Sequence, residues 1–244
     1  ETRDESLASS EPQARPSLVK STQKKKKDMT QFFGDVVQLT RAAFLREYWH
    51  SKAFIGSLGG DEEAVEAMVD SFCEADVSRL IATCRKPCNS RFSSDEMAEM
   101  ERDLDSHGRT LNLPYCFCRG AKALHAAAVD AFGELANDIE VGVYLSNAGG
   151  DVAEWHKDAN HNFTIQLTGA KEWRVLPGGE KGADGSRGMF DPPRNRAEQL
   201  HARSGLPPLG DAACYSLAPG SVLYVPPGHW HRVVPTEGGS LSVD

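Results

Sequence analysis

The stretch Glu154-Trp155-His156-Lys157-Asp158-Ala159-Asn160-His161-Asn162-Phe163-Thr164-Ile165-Gln166-Leu167-Thr168-Gly169-Ala170-Lys171-Glu172-Trp173-Arg174-Val175-Leu176 decides how this chain reads. A strand period of two puts His156, Asp158, Asn160, Asn162, Thr164 and Gln166 on one face, with Phe163, Ile165 and Leu167 on the other. In an ordinary half-buried sheet the polar face is simply the wet side. In a β-barrel whose interior holds a polar ligand, the polar face points inward and the apolar face packs outward under helices. Lys171 favours the second reading. Gly169-Ala170 reads as a tight turn, and beyond it Lys171 shares a face with Trp173 and Val175. A lysine in that company is a buried charge unless an anion meets it. The alternative is a strand-end lysine snorkelling to solvent.

His156-x-Asp158 has a counterpart far downstream in Pro226-Pro227-Gly228-His229-Trp230-His231. Two imidazoles and one carboxylate brought to a point make a facial triad, which holds Fe(II) and leaves positions open for an oxidant and a co-substrate. The 5-carboxylate of 2-oxoglutarate is an anion suited to Lys171. His229 and His231 would share a face on any continuous strand, but the Pro-Pro-Gly turn assigns His229 to the bend. His161 lies on the apolar parity and reads as a packed or hydrogen-bonded side chain. His50, His107, His125 and His201 sit in helical or loop contexts without a partner ligand and read as surface or structural.

These residues carry a family resemblance. His156-x-Asp158, Asn162-Phe163, Gln166-Leu167-x-Gly169-x-Lys171-x-Trp173-Arg174 and Gly220-Ser221-Val222-Leu223-Tyr224-Val225-Pro226-Pro227-Gly228-x-x-His231 resemble the JmjC-type hydroxylases that depend on Fe(II) and 2-oxoglutarate. The nearest branch is the ribosomal oxygenases, followed by the asparaginyl hydroxylase of hypoxia-inducible factor. Phe44-Leu45-Arg46-Glu47-Tyr48-Trp49-His50-Ser51-Lys52 resembles the amino-terminal segment of the same group, so the similarity runs from about residue 34 to the end. The resemblance implies Fe(II) on His156, Asp158 and His231, the pattern Pro-x-Gly-x-x-His selecting His231. It implies the tail carboxylate of 2-oxoglutarate on Lys171, with Tyr144, Asn162 and Thr164 as hydrogen-bonding candidates.

The reaction so implied is hydroxylation of a protein side chain, with a ribosomal protein as a candidate substrate, coupled to decarboxylation of 2-oxoglutarate to succinate; the partner is a protein or peptide substrate. JmjC lysine demethylation is the alternative within the enzymes, although those members mostly carry Glu where Asp158 stands. A non-catalytic cupin that binds a metal or small ligand is the alternative from another class. Two departures stand out. Ribosomal oxygenases usually show Asn-x-Tyr where this chain has Gly142-Val143-Tyr144. The chain also stops at Ser240-Leu241-Ser242-Val243-Asp244, within the expected last barrel strand and before the dimerisation helices and winged-helix module of that branch. With Glu1 as first residue, the expectation is a fragment, or else a minimal relative, and the oligomeric state is left open.

The resulting fold expectation is a mainly β cupin/JmjC double-stranded β-helix, a jelly-roll, with a helical amino-terminal region packed outside it. Residues 1–28 are a disordered basic tail, 29–137 a helical region supporting the barrel and 138–244 the catalytic barrel. At 244 residues, 40% hydrophobic and with net charge −8, the chain supports one sizeable core. No membrane span or signal peptide is legible, so an intracellular, soluble protein is expected, cytoplasmic or nuclear/nucleolar. Lys24-Lys25-Lys26-Lys27 is the one stretch suited to nucleic acid or a nuclear address; the acidic remainder is not. Cys73, Cys84, Cys88, Cys116, Cys118 and Cys214 lack zinc-knuckle spacing and read as reduced, partly buried thiols.

In the helical region, Thr40 caps a helix carrying Phe44, Leu45, Tyr48 and Trp49. Asp61 caps one burying Val65, Met68, Val69 and Phe72, and residues 121–135 place Leu124, Ala128, Phe132 and Leu135 on one stripe. Strands are expected at 139–146, through His156 and Asp158, at 171–176, 214–217, 221–225 and 232–234. The Gly/Pro-rich segment 177–210 between them is expected to overhang the barrel mouth.

Overall fold

A computed structural model of the chain describes residues 32–59, 62–72, 77–86, 90–105, 110–136, 138–147, 153–176, 212–236 and 238–244. The basic tail, the segment 177–210, Asp61, Cys73, Cys88, His107 and His201 lie outside the described residues. Five α-helices are described: α1 (Arg41–Glu47), α2 (Glu62–Phe72), α3 (Val77–Thr83), α4 (Ser94–Asp105) and α5 (Arg119–Phe132). Ten strands accompany them: β1 (Phe54–Ser57), β2 (Thr110–Leu113), β3 (Val143–Ser146), β4 (Ala153–His156), β5 (Asn162–Thr168), β6 (Lys171–Val175), β7 (Ala213–Leu217), β8 (Ser221–Val225), β9 (His231–Pro235) and β10 (Ser240–Val243).

The strands form two antiparallel sheets, one in the order β1-β8-β5-β10-β3-β2 and the other β4-β9-β6-β7. This is the jelly-roll that the family resemblance implies. Alternation explains which side chain goes where. Phe163, Ile165 and Leu167 of β5, Val222 and Tyr224 of β8, Leu241 and Val243 of β10, and Val143 and Leu145 of β3 join one apolar cluster with the helices. The opposite parity, Thr164, Gln166, Ser240, Ser242 and Ser146, is buried as well. The large sheet is therefore covered on both faces, by helices outside and by the smaller sheet inside. On β6 the inward residues Lys171, Trp173 and Val175 are buried, while Arg174 is exposed and Glu172 partly so.

Local chemistry sets the helices. Thr40 Oγ1 accepts the Ala43 N–H at 3.2 Å, the expected cap of α1. Phe44, fully buried, lies edge-on to Phe54 and Tyr224 and packs on Phe132 and Phe163, so one ring ties α1 and α5 to the sheet. Gly120 lets α5 approach α2, because a Cβ there would run into Ser71 Oγ and the Phe72 ring. Truncation of Phe44 to Ala is expected to destabilise the fold by about 3–5 kcal/mol, read as a lower urea midpoint at unchanged slope.

Four expectations are corrected. The polar run 156–166 is not one strand: β4 ends at His156 in the small sheet and β5 starts at Asn162 in the large one, with 157–161 crossing between them. The crossing carries Asp158, so the period of two does not place it. The region 29–137 also supplies β1 and β2, edge strands of the large sheet, too short for alternation to reveal. Residues 139–142 precede β3 rather than belonging to it. Leu135 lies beyond α5 and is 46% exposed, and Trp49 lies beyond the end of α1. Trp49 instead stacks on His161 at 3.6 Å, whose Nδ1 hydrogen-bonds the Tyr224 hydroxyl at 2.8 Å. Burial lowers the His161 pKa to about 4, as suits a packed neutral imidazole.

Candidate metal centre and its cavity

His156 closes β4, His231 opens β9, and the two pair across the small sheet. Their ring centroids are 4.1 Å apart. Asp158, on the crossing, brings Oδ2 to 3.4 Å from His231 Nε2 and 4.0 Å from His156 Nε2. One ligand atom from each of the three lies within 4.8 Å of the other two, the one such cluster among the described residues. The tautomers follow from the backbone. His156 Nδ1 faces the Glu154 carbonyl at 2.6 Å and His231 Nδ1 faces the His229 carbonyl at 3.0 Å. A carbonyl only accepts, so each Nδ1 carries the proton and each Nε2 offers its lone pair toward Asp158. Metal-binding histidines are commonly fixed in this way, the ring nitrogen remote from the metal donating to a carbonyl.

His229 is placed elsewhere. It is buried with Nδ1 toward the Pro227 carbonyl at 3.4 Å, and burial lowers its pKa. The Pro226-Pro227-Gly228 bend that turns it away also holds the carboxylate strap, since Gly228 N–H donates to the Asp158 carbonyl at 2.9 Å. Gly228 sits at φ +79°, a conformation that disfavours a side chain. Gly228→Ala is therefore expected to cost about 1–2 kcal/mol and to weaken metal binding about tenfold, because strain falls on the bond that positions Asp158. Metal titration alongside a melting curve reads both effects.

The three side chains open on a cavity of about 180 Å³ lined by Thr110, Tyr144, Ser146, Ala153, His156, Asp158, Asn162, Lys171, Trp173, His231, Val233, Pro235, Ser242 and Asp244. Trp173 stacks on the His231 ring at 5.4 Å. Lys171 is buried, donates from Nζ to Ser242 Oγ at 2.9 Å and lies 5.5 Å from the Tyr144 ring centroid. It does not snorkel. Burial brings its pKa down to about 8 against the opposing pull of Asp244. Burial raises the Asp244 carboxyl to about 6, offset by Lys171 and by hydrogen bonds with Thr164 and Asn162. Tyr144 takes a hydrogen bond from Asn112 Nδ2 at 3.2 Å, and burial pushes its phenol up. Of the residues expected here, Tyr144, Asn162 and Lys171 line the cavity and Thr164 does not: its Oγ1 donates to Asn162 Oδ1 at 3.2 Å behind the wall.

Asp244, Ser242 and Thr110 were not singled out from sequence. The signal for the first two was present, since Ser240, Ser242 and Asp244 share the parity that points inward from β10. Thr110 carries no comparable signal, because β2 is a four-residue edge strand.

Residues 123–244 match the JmjC domain family. The match spans half of the chain, and the chain belongs to that family. No curated protein matches its sequence. Among solved structures it is similar to the X-ray structure of Escherichia coli ycfD, at 20% identity and TM-score 0.52, covering 84% of this chain and 52% of that one. A second structure, of YcfD described as a ribosomal oxygenase from Escherichia coli, is similar at 19% identity and TM-score 0.50, covering 84% and 50%. The chain thus spans about half the length of these relatives, and the likeness is one of fold. Among the described residues no helix is long and apolar enough to cross a membrane.

Proposed function

We propose that the cavity holds Fe(II) and 2-oxoglutarate and that the protein is an oxygenase hydroxylating a protein side chain, with ribosomal proteins as the first substrate class to test. The observation that carries this reading is that two tautomer-fixed histidines and Asp158 share one cavity with a buried lysine. The donor set of two nitrogens and one carboxylate fits Fe(II) with positions left open. When bound, Fe(II) with 2-oxoglutarate supplies oxidation of a C–H bond by O2 coupled to decarboxylation to succinate.

The chain's own side chains do the rest. His156, Asp158 and His231 hold the metal. Lys171, with Ser242 beside it, receives the distal carboxylate of the co-substrate, while Tyr144 and Asn162 offer hydrogen bonds along the wall. Trp173, Val233, Pro235 and Ala153 give the cavity an apolar lining that limits water, and Trp173 fixes the His231 ring. Asp244 complicates the picture usefully, because its carboxylate competes with the ligand for Lys171. Affinity for 2-oxoglutarate should accordingly rise as pH falls from above 8 toward 6. Lys171, with its pKa near 8, gains the proton that attracts the ligand, and Asp244, near 6, begins to lose the charge that repels it. Calorimetric titration with saturating Mn(II) at about pH 8.5 and about pH 6.5, each roughly half a unit above one of those pKa values, reads the trend.

Mass spectrometry of ribosomal-protein peptides incubated with the Fe(II)-loaded protein tests the function. A product heavier by one oxygen, dependent on both 2-oxoglutarate and the metal, is the expected result. Loss of a methyl group from methyl-lysine, without net oxygen gain, would assign the demethylase reaction instead.

A further inference from the structure

Cys84, Cys116 and Cys118 are not among the residues lining the metal cavity and share a second place in the fold, where α3 ends against the segment joining β2 to α5. Cys84 and Cys116 form an isolated antiparallel bridge. The bonds flanking it run from Arg85 N–H to the Tyr115 carbonyl at 3.1 Å and from Phe117 N–H to the Thr83 carbonyl at 3.2 Å. That pattern makes Cys84 and Cys116 a non-hydrogen-bonded pair, the kind whose Cα atoms are about 4.5 Å apart and whose side chains lie closest. A disulfide needs Cα atoms roughly 4.4–6.8 Å apart, so the backbone already meets its requirement. Both thiols are free and buried. Cys118 also hydrogen-bonds Cys116, but its sulfur is engaged at the start of α5, accepting the Ala121 N–H at 3.4 Å.

We infer that Cys84 and Cys116 are a built site of oxidative modification, a cross-strand pair that a small peroxide converts to a disulfide while Cys118 stays a thiol. Cys116 is the sulfur oxidised first. The Cys118 thiol donates a hydrogen bond to it and favours its thiolate, lowering its pKa despite burial, while the Thr83 hydroxyl and the Cys84 thiol donate to the Leu80 carbonyl at 2.7 Å and 3.3 Å. The Cys116 thiolate attacks one peroxide oxygen, the O–O bond breaks, hydroxide leaves and Cys116 becomes a sulfenic acid. The Cys84 sulfur then attacks the Cys116 sulfur. The S–O bond breaks, and the departing hydroxide takes the Cys84 proton as water. Two thiols and one hydrogen peroxide give one disulfide and two waters. Hydrogen peroxide is small enough to reach a sulfur that a bulky disulfide oxidant cannot, Cys116 being 5% exposed. The bond would fasten α3 to the connection leading from β2, the strand that brings Thr110 to the cavity and Asn112 to Tyr144.

The test is peptide mapping of the whole chain after brief exposure to hydrogen peroxide, alkylation of the remaining thiols and digestion without reductant. The expected product links the Cys84 and Cys116 peptides with loss of two hydrogens, and Cys118 is recovered alkylated. Cys118→Ser should give the same linked product with its yield changed less than about twofold, whereas Cys84→Ser should abolish it and leave a sulfenic acid on Cys116 that a carbon-nucleophile probe traps. A dominant link from Cys116 to Cys118 or to Cys88, or full alkylation of Cys84 and Cys116 under conditions that oxidise the exposed Cys214, would overturn the assignment. Because the Cys118→Ser arm and the wild-type map stand without the Cys84 variant, the inference is decided even if Cys84→Ser fails to fold.

Discussion

Replacing any one of His156, Asp158 or His231 with Ala is expected to weaken Fe(II) binding at least about 100-fold and to end 2-oxoglutarate turnover, with the fold intact. Three protein ligands are the minimum that fixes a metal while leaving sites open, and two leave the ion to solvent. His231 should be the most severe of the three. It is the most buried, its Nδ1 is tied to the His229 carbonyl, and Trp173 stacks on its ring, so nothing nearby can move in to replace it. His229→Ala is the control. Its ring is turned away by the Pro-Pro-Gly bend, and its carbonyl, which orients His231, survives the substitution, so most of the activity should remain. An inactive His229→Ala beside an active His231→Ala would reverse the ligand assignment.

The second large effect is expected at Lys171. Truncating one partner of a charge pair in a partly dry cavity commonly costs about 2–5 kcal/mol, so Lys171→Ala should weaken 2-oxoglutarate by about 30-fold to several thousand-fold. Metal affinity should change little, since Lys171 is held by Ser242 and is not one of the three ligands. Asp244 shapes the interpretation. Without Lys171 its carboxylate is left buried without a cation, and its pKa should climb further above about 6. Lys171→Ala/Asp244→Asn should therefore recover stability relative to Lys171→Ala without recovering 2-oxoglutarate binding. Titrating 2-oxoglutarate into the Mn(II)-loaded proteins measures this, and equal affinities for wild type and Lys171→Ala would remove the lysine from the site.

Much of this was legible in the residues themselves. The alternation of Phe163, Ile165 and Leu167 with Thr164 and Gln166 gave the two faces of β5 correctly, because a strand buried on both sides still separates its apolar layer from its ligand layer. Lys171 beside Trp173 and Val175 marked the inner face of β6 for the same reason. Alternation failed at Asp158, where the chain leaves one sheet for the other and the geometry depends on the Gly228 hydrogen bond, a contact across 70 residues of sequence that no local pattern encodes. It failed again for β1 and β2, whose four residues each are held by pairing with β8 and β3 rather than by their own periodicity. The approach of Cys84 to Cys116 was hidden likewise, since it arises from tertiary pairing, and spacing within either Cys pair says nothing about it.

If one cavity holds both the metal and 2-oxoglutarate in a reactive arrangement, proton NMR should follow conversion of 2-oxoglutarate by the protein loaded with one Fe(II) per chain. Succinate should accumulate as 2-oxoglutarate disappears, at a rate that falls to background without Fe(II) and in His231→Ala. Fe(II) held by the wild type with 2-oxoglutarate left unconverted, or succinate formed equally by His231→Ala, would contradict the account.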